Sequence, residues 1–353
     1  MKIAIVTDAW EPQVNGVVRT LKMTAHELGL LGHQVEFVSP QGFFSVPCPT
    51  YPDIRLAAVT PGRIARVLDA LAPDCLHIAT EGPLGWAARS VAMSRGWPFT
   101  TAYHSRFPEY VQLRTRIPVS WSHALLRRFH NAGQATLVPT EHMGAELRTQ
   151  GYRVPTPWSR GVNLQMFTPD GPTLPRAADS GPVFLYVGRL AVEKNIDAFL
   201  KLDLPGEKWV AGAGPEAARL QRQYPGVRWF GVLSGPDLAT LYRSADVMVF
   251  PSETDTFGLV LVESMACGTP VAALPATGPI DVVGPSGEGG VIDTDLRRAC
   301  LAALQCDRQR VRTFAERYTW EAATRQFAQA LQPIPKAAST SGTAKAAATL
   351  TSR

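Results

Sequence analysis

Cysteine is scarce and scattered in this chain. The five residues Cys48, Cys75, Cys267, Cys300 and Cys306 show no paired metal spacing. That argues against a zinc ribbon or a disulfide-stapled scaffold and predicts reduced thiols in a cytoplasmic protein. No apolar run reaches the roughly 18 residues of a spanning helix. The opening MKIAIVT is too short for a signal peptide and runs into DAWEP without a small-residue cleavage site, so it reads as a strand. Also missing are a Walker phosphate loop, zinc-ligand spacing and a serine nucleophile elbow. Charged residues are only 18% against 45% hydrophobic ones, the balance of a globular chain with substantial cores. The net charge of +5 suits phosphates, nucleotides or acidic lipid heads. It fits equally a mildly basic enzyme with no polyanion partner, and no nucleic acid is expected.

What is present is rhythm. At roughly 100–200 residues per domain, the 353 residues predict two domains. Strand-like runs KIAIVT, QVEFVSP, CLHIAT, PFTTAYH and ATLVPT alternate with helical patterns in the first half. PVFLYVG, KWVAGAG, VRWFGVL, DVMVFPS and PVAAL repeat the pattern after a Pro-, Gly- and Asp-rich linker at 159–181. This alternation predicts parallel sheets covered by helices, in two doubly wound domains at 1–165 and 166–310. A last amphipathic helix is expected over 311–332. The small, polar segment 333–353 is expected to be disordered. Ligands of such sheets sit at the carboxyl ends of the strands, so the cleft between domains is where chemistry is sought.

Four constellations point there. In FPSETDTFGLVLVESMACG, a strand, a loop and a helix place Asp255 and Glu263 on either side of Thr256-Phe257-Gly258. The helix N-terminus offers backbone N–H groups to phosphate. Acids beside phosphate would be repelled, so the pair suits sugar hydroxyls on either side of a phosphate bridge. Spacing alone leaves open that Asp255 is only an N-cap and Glu263 a buried helix acid, about two turns down. In YVGRLAVEKN, Arg189 and Lys194 bracket a diphosphate or stand as ordinary surface cations. Gly16, after the first strand, permits a tight turn against an anion or serves only the turn. His104 ends the fourth strand facing the cleft, beside Arg106 and Glu109, and is otherwise structural. Two look-alikes are discounted. GAGPEA follows the second strand of its domain and lacks the ribose acid of a dinucleotide site. Asp293 and Asp295 of DTD precede a helix, where capping is expected instead of metal binding.

Together these segments resemble retaining glycosyltransferases of family 4. TDAWEPQVNGVVRT, YHSRFPEY, VGRLAVEKN, GAGPEAARL, the long stretch FGVLSGPDL to GTPVAA, and YTWEAATRQF occur in the family's order over about residues 1–330. The resemblance implies an α/β, GT-B fold: two Rossmann-like doubly wound parallel-sheet domains facing a cleft. The donor, a UDP- or GDP-sugar, would lie on the second domain and the acceptor on the first, with no cofactor and no metal. Arg189 and Lys194 would steady the departing diphosphate, Glu263 the ribose, Asp255 the donor sugar, and amides of Phe257, Gly258 and Leu259 the phosphates. Gly16 would lie against the diphosphate, His104 near the transferred sugar, and Val232 and Leu233 beside the base. The last helix would cross back to the first domain. Family members commonly carry Glu where this chain has Asp255. TDTFG resembles a subgroup of mannosyl, glucosyl, glucuronosyl and sulfoquinovosyl transferases, many acting on lipids. A noncatalytic sugar-nucleotide binder should have lost Arg189, Lys194 or Glu263, and all three are present. A pyridoxal-dependent phosphorylase is disfavoured by chain length.

Residues 111–130, VQLRTRIPVSWSHALLRRFH, interleave Arg114, Arg116, Arg127 and Arg128 with Trp121, Leu125, Leu126 and Phe129. Such a basic amphipathic stretch, helped by Phe43 and Phe44, rests on an anionic membrane or is an ordinary helix. With the basic charge it favours a lipid acceptor and a peripheral place on the inner face of the cytoplasmic membrane. A soluble or polysaccharide acceptor is the alternative.

Overall fold

Strand β1 (Lys2–Val6) shows why this chain folds in layers. Ala4 and Val6 pack on one side with Ile64, Leu68, Leu84, Ala88 and Val91. Ile3 and Ile5 pack on the other with Leu21, Leu28 and Phe327. A strand buried on both faces needs a continuous apolar run, and helices must cover both sides. β9 (Val183–Val187) repeats the device: Val183, Leu185 and Val187 face one core, Phe184 and Tyr186 the other.

The computed structural model describes residues 1–13, 15–48, 51–109, 118–176, 179–284 and 286–335, with backbone alone at 48 and 51–54. Its first sheet has the order β2 (Gln34–Val38), β1, β5 (Cys75–Ile78), β6 (Thr100–Ala102), β7 (Ala135–Val138) and β8 (Pro155–Pro157). The second runs β11 (Arg228–Trp229), β10 (Glu207–Ala211), β9, β12 (Val247–Phe250), β13 (Val271–Ala273) and β14 (Gly290–Ile292). Every pairing within these two sheets is parallel. Strand order reverses between β1 and β5 and between β9 and β12. Ligands of doubly wound sheets bind at such switch points.

Several readings are revised. β8 and β14 escaped the sequence pattern, being only three residues each. So did the antiparallel hairpin of β3 (Ser45–Cys48) and β4 (Tyr51–Ala57). The single helix expected over 311–332 is two, Arg308–Ala315 and Trp320–Ala330, because Thr319 caps a fresh start by accepting from the Ala322 N–H. The second of them lies on the first sheet, where Phe327 joins Ile3, Ile5 and Trp158 in one core. The C-terminal segment is not loose from residue 333: Pro333 bridges Cys75, and the Ile334 N–H donates to the Asp74 carbonyl at 2.7 Å. Residues 336–353 lie outside the described residues. Cys75, Cys267, Cys300 and Cys306 are free thiols. Asp295 caps its helix by accepting from the Arg297 and Arg298 N–H groups. The glycines of GAGPEA are explained by packing. A Cβ at Gly212 would lie 1.8 Å from the Gly188 carbonyl oxygen, so glycine lets the β9 and β10 loops touch backbone to backbone.

Candidate active site

The loop after β12 carries the acidic motif. Its helix begins at Leu259 and runs to Ala266, with Gly258 as N-cap at φ +84° and no side chain closing it. Asp255 is therefore not the cap. Glu263 is the fifth residue of this helix, just over one turn in and not two, because the helix starts four residues after Asp255. A short helix without a capping side chain directs N–H groups and positive dipole character outward. Phe257 is buried against the second core and meets Tyr318 edge-on, which anchors the loop.

Asp255 is met by Lys194: Nζ to Oδ1 is 2.6 Å. Lys194 follows β9 in a short 3-10 turn, and the Thr254 hydroxyl donates to the Glu193 carbonyl at 3.2 Å. The two loops, 192–195 and 252–257, are thus tied together. Arg189 sits exposed at the mouth of the same strand, its carbonyl accepting from the Tyr186 hydroxyl at 2.9 Å. Val232 is exposed after β11, while Leu233 packs partly on the second core.

The first half of the chain meets this surface directly. Helix α1 (Gly16–Leu30) starts after β1, capped by Asn15, whose side chain accepts from the Val17 and Val18 N–H groups. A Cβ at Gly16 would lie 3.7 Å from Leu259, so the two helix N-termini face each other across the cleft. One turn further along α1, Arg19 forms an ion pair with Glu263. Glu263 is 2% exposed, and the Tyr242 hydroxyl donates to it at 3.1 Å. Burial raises its pKa, while Arg19 and Tyr242 pull it back down. His104, two residues past β6, gives its carbonyl to the Thr256 hydroxyl at 2.8 Å. Burial first, then Arg160, His77 and His130, hold its imidazole well below the ordinary histidine value, so it is neutral.

Contacts between the two halves and between neighbouring loops link Gly16 to Leu259, the His104 carbonyl to Thr256, Lys194 to Asp255 and Arg19 to Glu263, and Arg189 is exposed just past the end of β9. Sequence reasoning missed Arg19, Tyr242 and Arg160, and the contact of the Thr256 hydroxyl with the His104 carbonyl. Arg19 had one available signal, its place three residues after Gly16 on the same helical face. It also missed further contacts that hold the halves together. Arg106, paired with Glu146 of its own half, bonds the Thr277 hydroxyl, and the His142 N–H donates to Asp281 at 2.9 Å.

Two doubly wound halves with cations and acids on one and a facing helix N-terminus on the other form the architecture of GT-B glycosyltransferases. The chain belongs to glycosyltransferase family 4: residues 14–166 match the family described as "Glycosyltransferase Family 4" and residues 181–305 "Glycosyl transferases group 1". It is 30% identical over 317 residues to a GDP-mannose-dependent alpha-mannosyltransferase of Mycobacterium tuberculosis, covering 82% of this chain and 83% of that one. It is also 30% identical over 336 residues to sulfoquinovosyl transferase SQD2 of Arabidopsis thaliana, covering 86% of this chain and 64% of that one. An alpha-monoglucosyldiacylglycerol synthase of Streptococcus pneumoniae is 26% identical, with 77% and 71% covered. In fold it is similar to sucrose-phosphate synthase of Thermosynechococcus elongatus, with a TM-score of 0.73 at 21% identity over 93% of this chain and 97% of that one. The chain is a glycosyltransferase that takes its sugar from a nucleotide sugar, and an alpha-monoglucosyldiacylglycerol synthase is among its relatives. No described helix is long and apolar enough to cross a membrane.

Proposed function

We propose that this glycosyltransferase moves a hexose or hexuronic acid, with retention at the anomeric carbon and without a metal ion, from GDP-mannose, a UDP-hexose or a UDP-hexuronic acid to a hydroxyl of a membrane lipid. The observation that carries the reading is the convergence of Lys194 and Asp255 at 2.6 Å beside an open helix N-terminus, with Glu263 buried behind it. Diphosphate oxygens would take the amides near Phe257, Gly258 and Leu259, with Gly16 opposite. Arg189 and Lys194 would take the charge that develops as the anomeric bond breaks. Fixed cations aimed at that charge are the largest kind of catalytic contribution. Asp255 would accept from the sugar hydroxyls and Glu263 from the ribose. A carboxylate has about four lone-pair sites, so a ribose diol adds to Glu263 beside Arg19 and Tyr242. Val232 and Leu233 would flank the base. The acceptor would attack on the face the diphosphate leaves, its proton passing to a phosphate oxygen.

A thermal-shift screen across GDP-, UDP- and ADP-sugars tests the donor, and the anomeric configuration of the product tests retention. GDP-mannose comes first because the mycobacterial relative is named for it. Stabilisation by none of these donors, or an inverted product, overturns the reading. Turnover is expected to survive EDTA. Glu263→Gln keeps an acceptor for Tyr242 but loses the charge, and hydrogen bonds to charged groups are worth about 1.5–3 kcal/mol. Calorimetry should show nucleotide binding weakened roughly tenfold or more. The same variant changes the pH profile of stability. Because the folded pKa of Glu263 is raised, the stability it contributes is full below the ordinary 4.5 and is lost as pH rises through the folded value. Gln does not titrate, so the wild-type Tm should fall relative to the variant as pH climbs above 4.5.

The lipid acceptor draws support from the helix Val119–His130, on which Trp121 and Leu125 are 72% and 54% exposed. Phe44 is exposed too. Leu126 and Phe129 instead face the core, and residues 111–117, with Arg114 and Arg116, lie outside the described residues. Cosedimentation with anionic vesicles at low salt is expected and should weaken in Trp121→Ser, Leu125→Ser. Absence of binding would favour a soluble or polysaccharide acceptor.

A further inference from the structure

Arg160 is 4% exposed, yet among the described residues its contacts are all with neutral groups. Nη1 donates to the Trp158 and Ser159 carbonyls at 2.5 and 3.0 Å, and the guanidinium lies over the Trp158 ring, 4.2 Å from its centroid. Its remaining contact is with His104, Nη2 to Nδ1 at 3.3 Å. The His104 ring stands edge-on to the same Trp158 at 5.7 Å. Its other nitrogen, Nε2, is buried and has no protein partner among the described residues. A buried cation, a ring wedged against a fully buried tryptophan and an orphaned nitrogen beside the acidic loop form one connected unit.

A guanidinium carries donors only. The nitrogen it meets must therefore be the acceptor of the imidazole, and the ring proton sits on the other one. We infer that Arg160 is a positioning residue that locks His104 as the Nε2–H tautomer, making it a hydrogen-bond donor to the transferred sugar and barring it from acting as a base. The ligand class follows from the unpaired donor: a sugar hydroxyl or ring oxygen supplies the lone pair that Nε2–H lacks. Among the described residues, the titratable groups that act electrostatically on the ring are Arg160, His77 and His130, and all three lower its pKa. None is a carboxylate that would draw a second proton onto it. His104 then takes no proton from the acceptor hydroxyl, which leaves that proton to the departing phosphate. The inference rests on the glycosyltransferase reading for the sugar but not for the tautomer.

Two-bond 1H–15N spectra of the full chain labelled at histidine test both halves. His104 is assigned by the signal lost in His104→Gln. The wild type should show a protonated Nε2 and an unprotonated Nδ1 at pH 7. Arg160→Met should shift the ring to a tautomer mixture, and Arg160→Lys, which keeps a donor, should restore it. A wild-type ring protonated on Nδ1 or on both nitrogens overturns the proposal, as does an unchanged tautomer in Arg160→Met. If the methionine variant does not fold, the wild type and the lysine variant decide. Titration with GDP-mannose or a UDP-hexose should move the His104 Hε2 resonance, and no movement removes the sugar contact. In turnover, Arg160→Met should lower kcat about tenfold with little change in donor KM, and Arg160→Lys should recover most of it. The expected tautomer in a chain that transfers no sugar would sink the enzymatic reading and leave the lock standing.

Discussion

Lys194→Met should lower kcat/KM by about 10²–10³, the usual cost of removing one fixed group aimed at developing charge. Arg189→Gln should act in the same range. Lys194 is placed for this by two loops, since its turn is held to 252–257 through the Thr254 hydroxyl and its Nζ reaches Asp255 at 2.6 Å. Folding should suffer little. The pair is partly exposed, 22% for Lys194 and 17% for Asp255, and such pairs contribute about 1 kcal/mol or less. For domains of 150–250 residues that is a fall of about 2–4 °C in Tm. Steady-state kinetics beside a thermal melt separate the two effects. A variant that loses Tm as severely as turnover would show that Lys194 is structural, and the diphosphate assignment would go with it.

Gly278→Ala is expected to damage turnover without touching any charged group. An added Cβ would lie 2.7 Å from the Phe257 nitrogen and 2.8 Å from the Asp255 carbonyl oxygen, both main-chain atoms that cannot swing aside. The Gly278 N–H also donates to that carbonyl at 3.1 Å. The 255–257 loop must shift as a unit, carrying Asp255 away from Lys194 and Thr256 away from His104. A displacement near 1 Å costs on the order of 10²-fold in rate, whereas overpacking costs about 1–3 kcal/mol of stability. Donor kcat/KM should fall about 10²-fold in a protein that still folds. Retained turnover would mean that the loop tolerates movement and that Asp255 is not held for contact with sugar.

Much of the architecture was readable because it repeats. Strands such as IAIV and VFLYV are apolar throughout, as burial on both faces demands, and intervening helices imply parallel pairing. Short elements were not readable. β8 and β14 have three residues each, too few for a periodic signal, and their pairing is supplied by neighbouring strands. The last helix looked continuous because apolar spacing carries across the break at 316–319, and the Thr319 cap is visible only as a contact. At the site, Asp255, Glu263, Lys194 and Gly16 stood out as residue types beside predicted turns. Arg19 and Arg160 did not, since an arginine in a helix or a linker reads as a surface charge until a partner is seen.

By itself the sequence determined the two doubly wound halves, the loops that carry the acids and cations, and the family. These depend on local periodicity and on motifs contiguous along the chain. Only the tertiary structure decided which residue meets which: Arg19 on Glu263, Thr256 on the His104 carbonyl, Arg160 on the His104 ring. The physical reason is range. A helix or strand is specified within a few residues, but these contacts join groups 56 to 244 positions apart (the last from 263 less 19), brought together when buried apolar faces stack two sheets' worth of helices against each other.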